Sequence, residues 1–352
     1  MSKHCLVRGS INIDEFFHVA DVVLPGQTIS STGFERRGGG KGANQAAAVA
    51  RAGAPVRLVG AVGSDGEWLV NDLKTMGVDT SDIQTVEKEP TGRAIIQLTK
   101  SGENCIILHK GANYARQDTE SEIAGYLSGA SHLLVQNEVP LGVTTSALRE
   151  AGKVGVPSVY NPSPMPADDE LRAFPWDCVS YLLVNEGEAS ALLRAFSGSS
   201  ASQGTELKPV MPAGQIGEPN LKVLEEAKET LRALIYLPAF SKTTVVCTLG
   251  GAGVLAALPS NTSESLYLPA VKLEGTTRDT TGAGDCFTGY FVAGLMALGQ
   301  KGSLGVRELA PLLRLSTQAA GMCVEKRGAM ESIPERRDVE ERLAKLPALT
   351  FD

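Results

Sequence analysis

Short apolar runs recur along this chain, at 57–62, 131–135, 157–160, 180–184, 243–247 and 254–258, each bounded by turn residues. None of them has a polar face. A strand of that kind must be covered on both sides. Helix-length segments separate the runs, at 41–53 (closed by Gly53), 141–153, 186–196, 221–236, 283–299 and 306–325. Strands alternating with helices predict a three-layer α/β/α fold around a mostly parallel central sheet.

Two stretches leave this rhythm. Residues 11–36 and 92–110 read as β structure. In the second, the apolar residues 94–98 and 105–108 flank Ser101-Gly102-Glu103-Asn104, which predicts a hairpin. The two stretches predict a small β-sheet beside the main one, in the position of a lid. The expected organisation is a core of residues 1–11, 37–91 and 111–352, with a lid or dimerisation region at 12–36 and 92–110. Residues 197–220 are rich in Ser, Gly and Pro and read as a long, mobile insertion loop.

With 43% hydrophobic and 21% charged residues, a sizeable core is expected. A net charge of −7 argues against nucleic acid as the main partner. A small anionic ligand would then need local positive potential. Six cysteines occur without a C-x-x-C pair; Cys5, Cys247, Cys286 and Cys323 have core-like neighbours, and the set reads as structural thiols in a reducing compartment. Residues 1–8 lack the apolar region of a signal peptide, and no apolar run reaches membrane-span length. A cytoplasmic location is expected, with the nucleus left open. None of His4, His18, His109 and His132 has metal-ligand spacing.

The chemistry concentrates in Asp279-Thr280-Thr281-Gly282-Ala283-Gly284-Asp285, directly before an apolar helix. A helix start carries unpaired N–H donors and partial positive charge, so it attracts anions. Asp285 falls in the first turn beside that spot. An anion cradle with an adjacent carboxylate suits phosphoryl transfer. Gly38-Gly39-Gly40-Lys41-Gly42-Ala43-Asn44-Gln45 precedes a second helix. It is neither a Walker A loop nor G-x-G-x-x-G. Its backbone can still approach a ligand closely, and Asn44 offers both donor and acceptor to a sugar hydroxyl. Asn12 and Asp14 share one strand face and can grip vicinal hydroxyls. Asn185 and Glu188 have capping-box spacing, and Glu188 could also stand near a Mg²⁺ ion that keeps most of its water. The turn Thr248-Leu249-Gly250-Gly251-Ala252-Gly253 follows a strand, where open α/β sheets bind ligands.

Taken together and in order, these motifs resemble the ribokinase family of carbohydrate kinases, from about Leu6 to Pro334. The resemblance implies an α/β sandwich of about nine strands with a β lid that interlocks with a second copy, giving a homodimer. It implies Asp285 as catalytic base and the backbone of Gly282, Ala283 and Gly284 as an anion hole. Asn12, Asp14, Gly40, Lys41, Asn44 and Glu138 would contact the sugar. Asn185, Thr248, Gly250, Gly253 and Gly284 would contact ATP, with Glu188 linked to Mg²⁺. A K⁺ site is implied at Asp279, Thr281, Cys323, Lys326, Gly328 and Ser332, partly through carbonyls. Thr317 departs from the Asn or His that the family often places beside adenine, and the 197–220 insertion is longer than usual.

The expected reaction is therefore ATP-dependent phosphorylation of D-ribose at its 5-hydroxyl. One alternative is a related kinase acting on another sugar or on a nucleoside. The 5% aromatic content argues against the base slot that a nucleoside would need. A catalytically silent sugar or nucleotide binder is the alternative of another class.

Overall fold

The computed structural model describes residues 3–101, 103–196, 206–215, 217–259, 261–299 and 304–351. Its centre is a ten-stranded sheet. From one edge the order is Lys208–Val210, Asn261–Leu268, Val254–Leu258, Thr244–Thr248, Tyr181–Asn185, Ser158–Tyr160, Ala130–Val135, His4–Arg8, Val56–Val62 and Asp79–Thr85. Val254–Leu258 runs against its neighbours, and the other pairings are parallel.

Successive strand residues point to opposite faces. Leu134 and Val246 join one core with Phe287, Phe291 and Val292 of the helix Ala283–Leu298. Leu133 and Val245 join the other with Leu148, Leu192 and Leu231. Burying each such side chain contributes about 1.5–3 kcal/mol. The doubly covered sheet and three layers expected from the apolar runs are present.

Strands that the apolar pattern did not mark include Asp79–Thr85 and Lys208–Val210, the two sheet edges. Edge strands keep one side near solvent, so they carry polar residues and escape an apolar criterion. The stretch expected as one long loop differs accordingly. Residues 197–205 and 216 lie outside the described residues. From Glu206 onward the chain is structured: Leu207 is fully buried, and Lys208–Val210 pairs parallel with Asn261–Leu268. Ala213 further bridges to Thr350.

The second sheet has four strands, in the order Gly33–Gly39, Asn12–Val19, Gly92–Thr99, Asn104–His109. Gly92–Thr99 and Asn104–His109 form the predicted antiparallel hairpin. Asn12–Val19 pairs parallel with Gly92–Thr99 and so joins the two off-rhythm stretches into one sheet. Among the described residues, no helix is long and apolar enough to cross a membrane.

Candidate active site

The parallel strands end on one side, and the polar residues that follow them gather there. Ser10 follows His4–Arg8, Gln136 and Glu138 follow Ala130–Val135, and Asn161 follows Ser158–Tyr160. Asn185 and Thr248 close their own strands. This is the usual ligand-binding end of an open α/β sheet.

Two helix starts converge on the same place. The helix Ala283–Leu298 begins after Gly282, which adopts φ 77°. Only glycine holds that left-handed conformation without strain. A Cβ there would also lie 2.8 Å from Ala329 Cα. The first turn therefore packs tightly onto the 327–332 loop. Ala283 N–H donates to Thr280 O (3.3 Å) and Cys286 N–H to Gly282 O (2.8 Å). Gly284 and Asp285 lie between them and line a cleft of about 220 Å³. Among the described residues, their N–H groups are the unpaired donors of the helix start.

Asp285 itself is 7% exposed. Asn44 Nδ2 donates to its Oδ2 and Gln45 Nε2 to its Oδ1, both at 2.9 Å. The close approach of two helices makes this possible. Gly289 lies one turn beyond Asp285, and a Cβ there would run into Ala48 and stand 2.8 Å from Gln45 O. Small residues on both helices bring Asn44 and Gln45 onto the carboxylate.

The second helix start, Lys41–Arg51, follows Gly40 at φ 89°. Glu138 Oε2 accepts from Lys41 N–H (2.9 Å) and from Ser10 Oγ (2.6 Å). The Lys41 ammonium lines the cleft with Glu188, Asn185, Thr248, Asn161 and Ser163. Burial works against its charge, but the carboxylates of Asp285, Glu138 and Glu188 outweigh burial and raise its pKa.

On the side of the small sheet, Asn12 Oδ1 accepts from Asn113 Nδ2 (2.7 Å). Burial, then Glu138, Glu331 and Asp285, push the Asp14 carboxyl up to about 7. Asp14 is thus one of several carboxyl groups crowded where the small sheet meets the main one.

Asn185 and Glu188 form a reciprocal capping box, with both hydrogen bonds at 2.9 Å. Glu188 uses Oε2 in this cap and also lines the cleft. Gly250 and Gly253 belong to the turn after Thr244–Thr248 and lie outside the cleft wall. The residues expected around a cation are linked directly. Asp279 accepts from Thr281 N–H and Gly328 N–H, both at 3.0 Å. Cys323 Sγ and Ser332 Oγ are 2.9 Å apart, and Lys326 N–H donates to Cys323 O at 3.0 Å. Burial opposes the Asp279 charge, yet these N–H donors and nearby Arg37 hold its pKa below the ordinary value. All six cysteines are free thiols, four of them buried.

Ser10, Gln45, Asn113, Gln136 and Asn161 were not among the expected site residues. Ser10, Gln136 and Asn161 share a readable signal, a polar residue within two positions of a strand's C-terminal end. Asn113 has none, because only the fold brings it to Ile11 and Asn12.

A pfkB family carbohydrate kinase model matches residues 2–336. The ribokinase of Haemophilus influenzae is 32% identical over 347 residues, covering 97% of this chain and 99% of its own. The crystal structure of Cryptococcus neoformans ribokinase in complex with ADP is 47% identical, has a TM-score of 0.82, and is matched over 97% of this chain and 100% of that one. Arabidopsis thaliana ribokinase complexed with ribose and ATP is 26% identical with a TM-score of 0.75, over 97% and 99% of the two chains. The chain belongs to the pfkB family of carbohydrate kinases.

Proposed function

We propose that this enzyme transfers the terminal phosphoryl group of ATP to the 5-hydroxyl of D-ribose. The observation that carries the reading is the Asp285 carboxylate set among the free N–H groups of its own helix start, within one cleft. The similar ribokinases, solved with ADP or with ribose and ATP, support both ligands. Asp285 takes the proton of the attacking hydroxyl. The N–H groups of Gly284 and Asp285 meet the charge that develops on the transferred group. Lys41 adds positive charge on the same side. Asn12, Asp14, Asn44 and Glu138 hold the sugar's other hydroxyls.

A larger cleft of about 460 Å³ lies beside the helix Val306–Val324, lined by Pro269, Val271, Leu273 and Thr317. Its apolar wall suits the adenine ring, and the buried Thr317 hydroxyl there has no partner among the described residues. Glu188 is the residue that would hold Mg²⁺, through water, in the cleft. Mg²⁺ neutralises phosphate charge when bound. A single carboxylate fits this ion, which is usually shared between substrate phosphates and water. The oxygens of Asp279, Thr281, Cys323, Lys326, Gly328 and Ser332 suit a K⁺ ion behind the anion hole.

The small sheet also leaves Phe34, Ile106, Ile107 and Leu108 about half exposed on its two outer strands. A second copy's lid would cover them, so a homodimer is part of the reading.

The deciding experiment is ADP formation from MgATP with D-ribose, in K⁺ and in Na⁺ buffer of equal ionic strength. Ribose-dependent ADP that rises with K⁺ is expected. Its absence with ribose, and its presence with fructose or adenosine, would replace the substrate.

A further inference from the structure

We infer that Gln45 and Gln136 form a directed amide relay that positions the Asp285 carboxylate for proton abstraction. The inference rests on the reading of Asp285 as the base.

A carboxylate can only accept, so Gln45 must turn Nε2 toward Asp285 Oδ1. Gln45 is fully buried and has no route to solvent. Its Oε1 then faces the opposite way and needs a donor. Gln136 Nε2 supplies it at 2.6 Å. Gln136 is 1% exposed, and its orientation is fixed in turn. Its own Oε1 is left buried without a partner among the described residues. That oxygen sits over Gly9, where a Cβ would collide with it.

An unpaired buried oxygen costs on the order of 1–3 kcal/mol. A methionine of similar shape would avoid that cost, so packing alone does not account for an amide at position 136. The donor on its other end does. Gln45 Nε2 also reaches Asn161 Oδ1 (3.3 Å), which biases it further toward the strand ends. Asn44 Nδ2, one residue earlier, fixes the second carboxylate oxygen. Each oxygen thus has one donor, and its other lone pair remains for the sugar hydroxyl. Gln136 is not part of the cleft wall, so it acts through Gln45 as a positioning residue.

The test compares kcat, KM and pH profiles of Gln136→Met and Gln136→Glu with the native enzyme. Gln136→Met removes the donor and keeps the shape. Its kcat is expected to fall about 10-fold through loss of alignment, with sugar and ATP KM within about twofold and a melting temperature near the native one, because Gln45 Oε1 loses its donor as the unpaired Gln136 oxygen is removed. An ionised Glu at 136 only accepts, so Gln45 Nε2 turns to it and Oε1 meets Asp285. The kcat of Gln136→Glu should then fall below that of Gln136→Met at high pH. As pH falls, the protonated side chain can donate to Gln45 Oε1, and the ratio to native kcat should recover. The other titratable groups near Asp285 are Lys41, Asp14, Cys286 and Cys323. They are common to all three proteins and cancel in that ratio. Native kcat in folded Gln136→Met overturns the relay, as does a Gln136→Glu ratio that is flat with pH. Asp285→Ala separates the two readings. If it keeps turnover, base and relay fall together. If it is inactive while Gln136→Met is native-like, only the relay falls.

Discussion

The two helix starts at the site share a local pattern and part in function. Each follows a glycine with positive φ, Gly40 at 89° and Gly282 at 77°, and neither glycine has a capping side chain. At Lys41–Arg51 the orphan donors are all used. Lys41 N–H meets Glu138, Gly42 N–H meets Ser10 Oγ (3.3 Å), and Ala43 N–H meets Ser10 O (2.9 Å). At Ala283–Leu298 the Gly284 and Asp285 donors have no protein acceptor among the described residues. On the proposed reading, the closed helix start orders the site and the open one receives the transferred charge. The acceptor that closes the first comes from 97 residues away in sequence.

This contrast is sharpest for Asp285→Asn. It should lower kcat on the order of 100-fold or more, with only a modest fall in melting temperature, because the amide keeps one oxygen for the two donors Asn44 Nδ2 and Gln45 Nε2. Steady-state ADP formation and a thermal melt check both halves. Glu138→Ala should behave in the opposite sense. It reopens the closed helix start and removes charge-assisted hydrogen bonds worth about 1.5–3 kcal/mol each, so melting should fall while sugar KM rises. If Glu138→Ala instead loses only kcat, the two starts are not distinct. Gly282→Ala should destabilise by about 1–3 kcal/mol, from the positive φ and the approach of Ala329. Denaturant unfolding of that variant measures it, and a native midpoint would remove the argument for a rigid anion hole.

A pH-dependent effect belongs to Asp14. Its native pKa of about 7 lies above the ordinary 3.8. Between those values the native state binds more protons than the unfolded state, so stability falls as pH rises. The stability of the ligand-free enzyme should therefore fall relative to that of Asp14→Asn from about pH 4 to 7, with a constant difference above that. A pH-independent difference would show that the carboxyl is not crowded as described.

Legibility in the sequence varied with the kind of contact. The runs at 131–135 and 243–247 were readable as sheet centre because full burial demands an uninterrupted apolar sequence. Asp79–Thr85 and Lys208–Val210 were not, since a sheet edge tolerates polar residues. In the site, Asp285 and its glycine approach were readable as a helix start because that pattern is local. Asn185 and Glu188 were readable as a cap for the same reason, and the cap is present. Gln45 stood inside a recognised motif but acquired a role only when Gly289 let its helix approach Asp285.

The sequence by itself determined the layered parallel fold, the off-rhythm pieces that become the small sheet, and the helix start that can cradle an anion. These follow from periodicity, turn chemistry and capping, whose physics spans a few residues. Tertiary structure alone decided that Glu138 plugs one helix start, that the other stays open, and that two buried glutamines point their donors toward Asp285. Those outcomes depend on which distant donors and acceptors meet once water is excluded. An isolated segment has no means of encoding that pairing, because its polar groups are satisfied by solvent until the fold removes it.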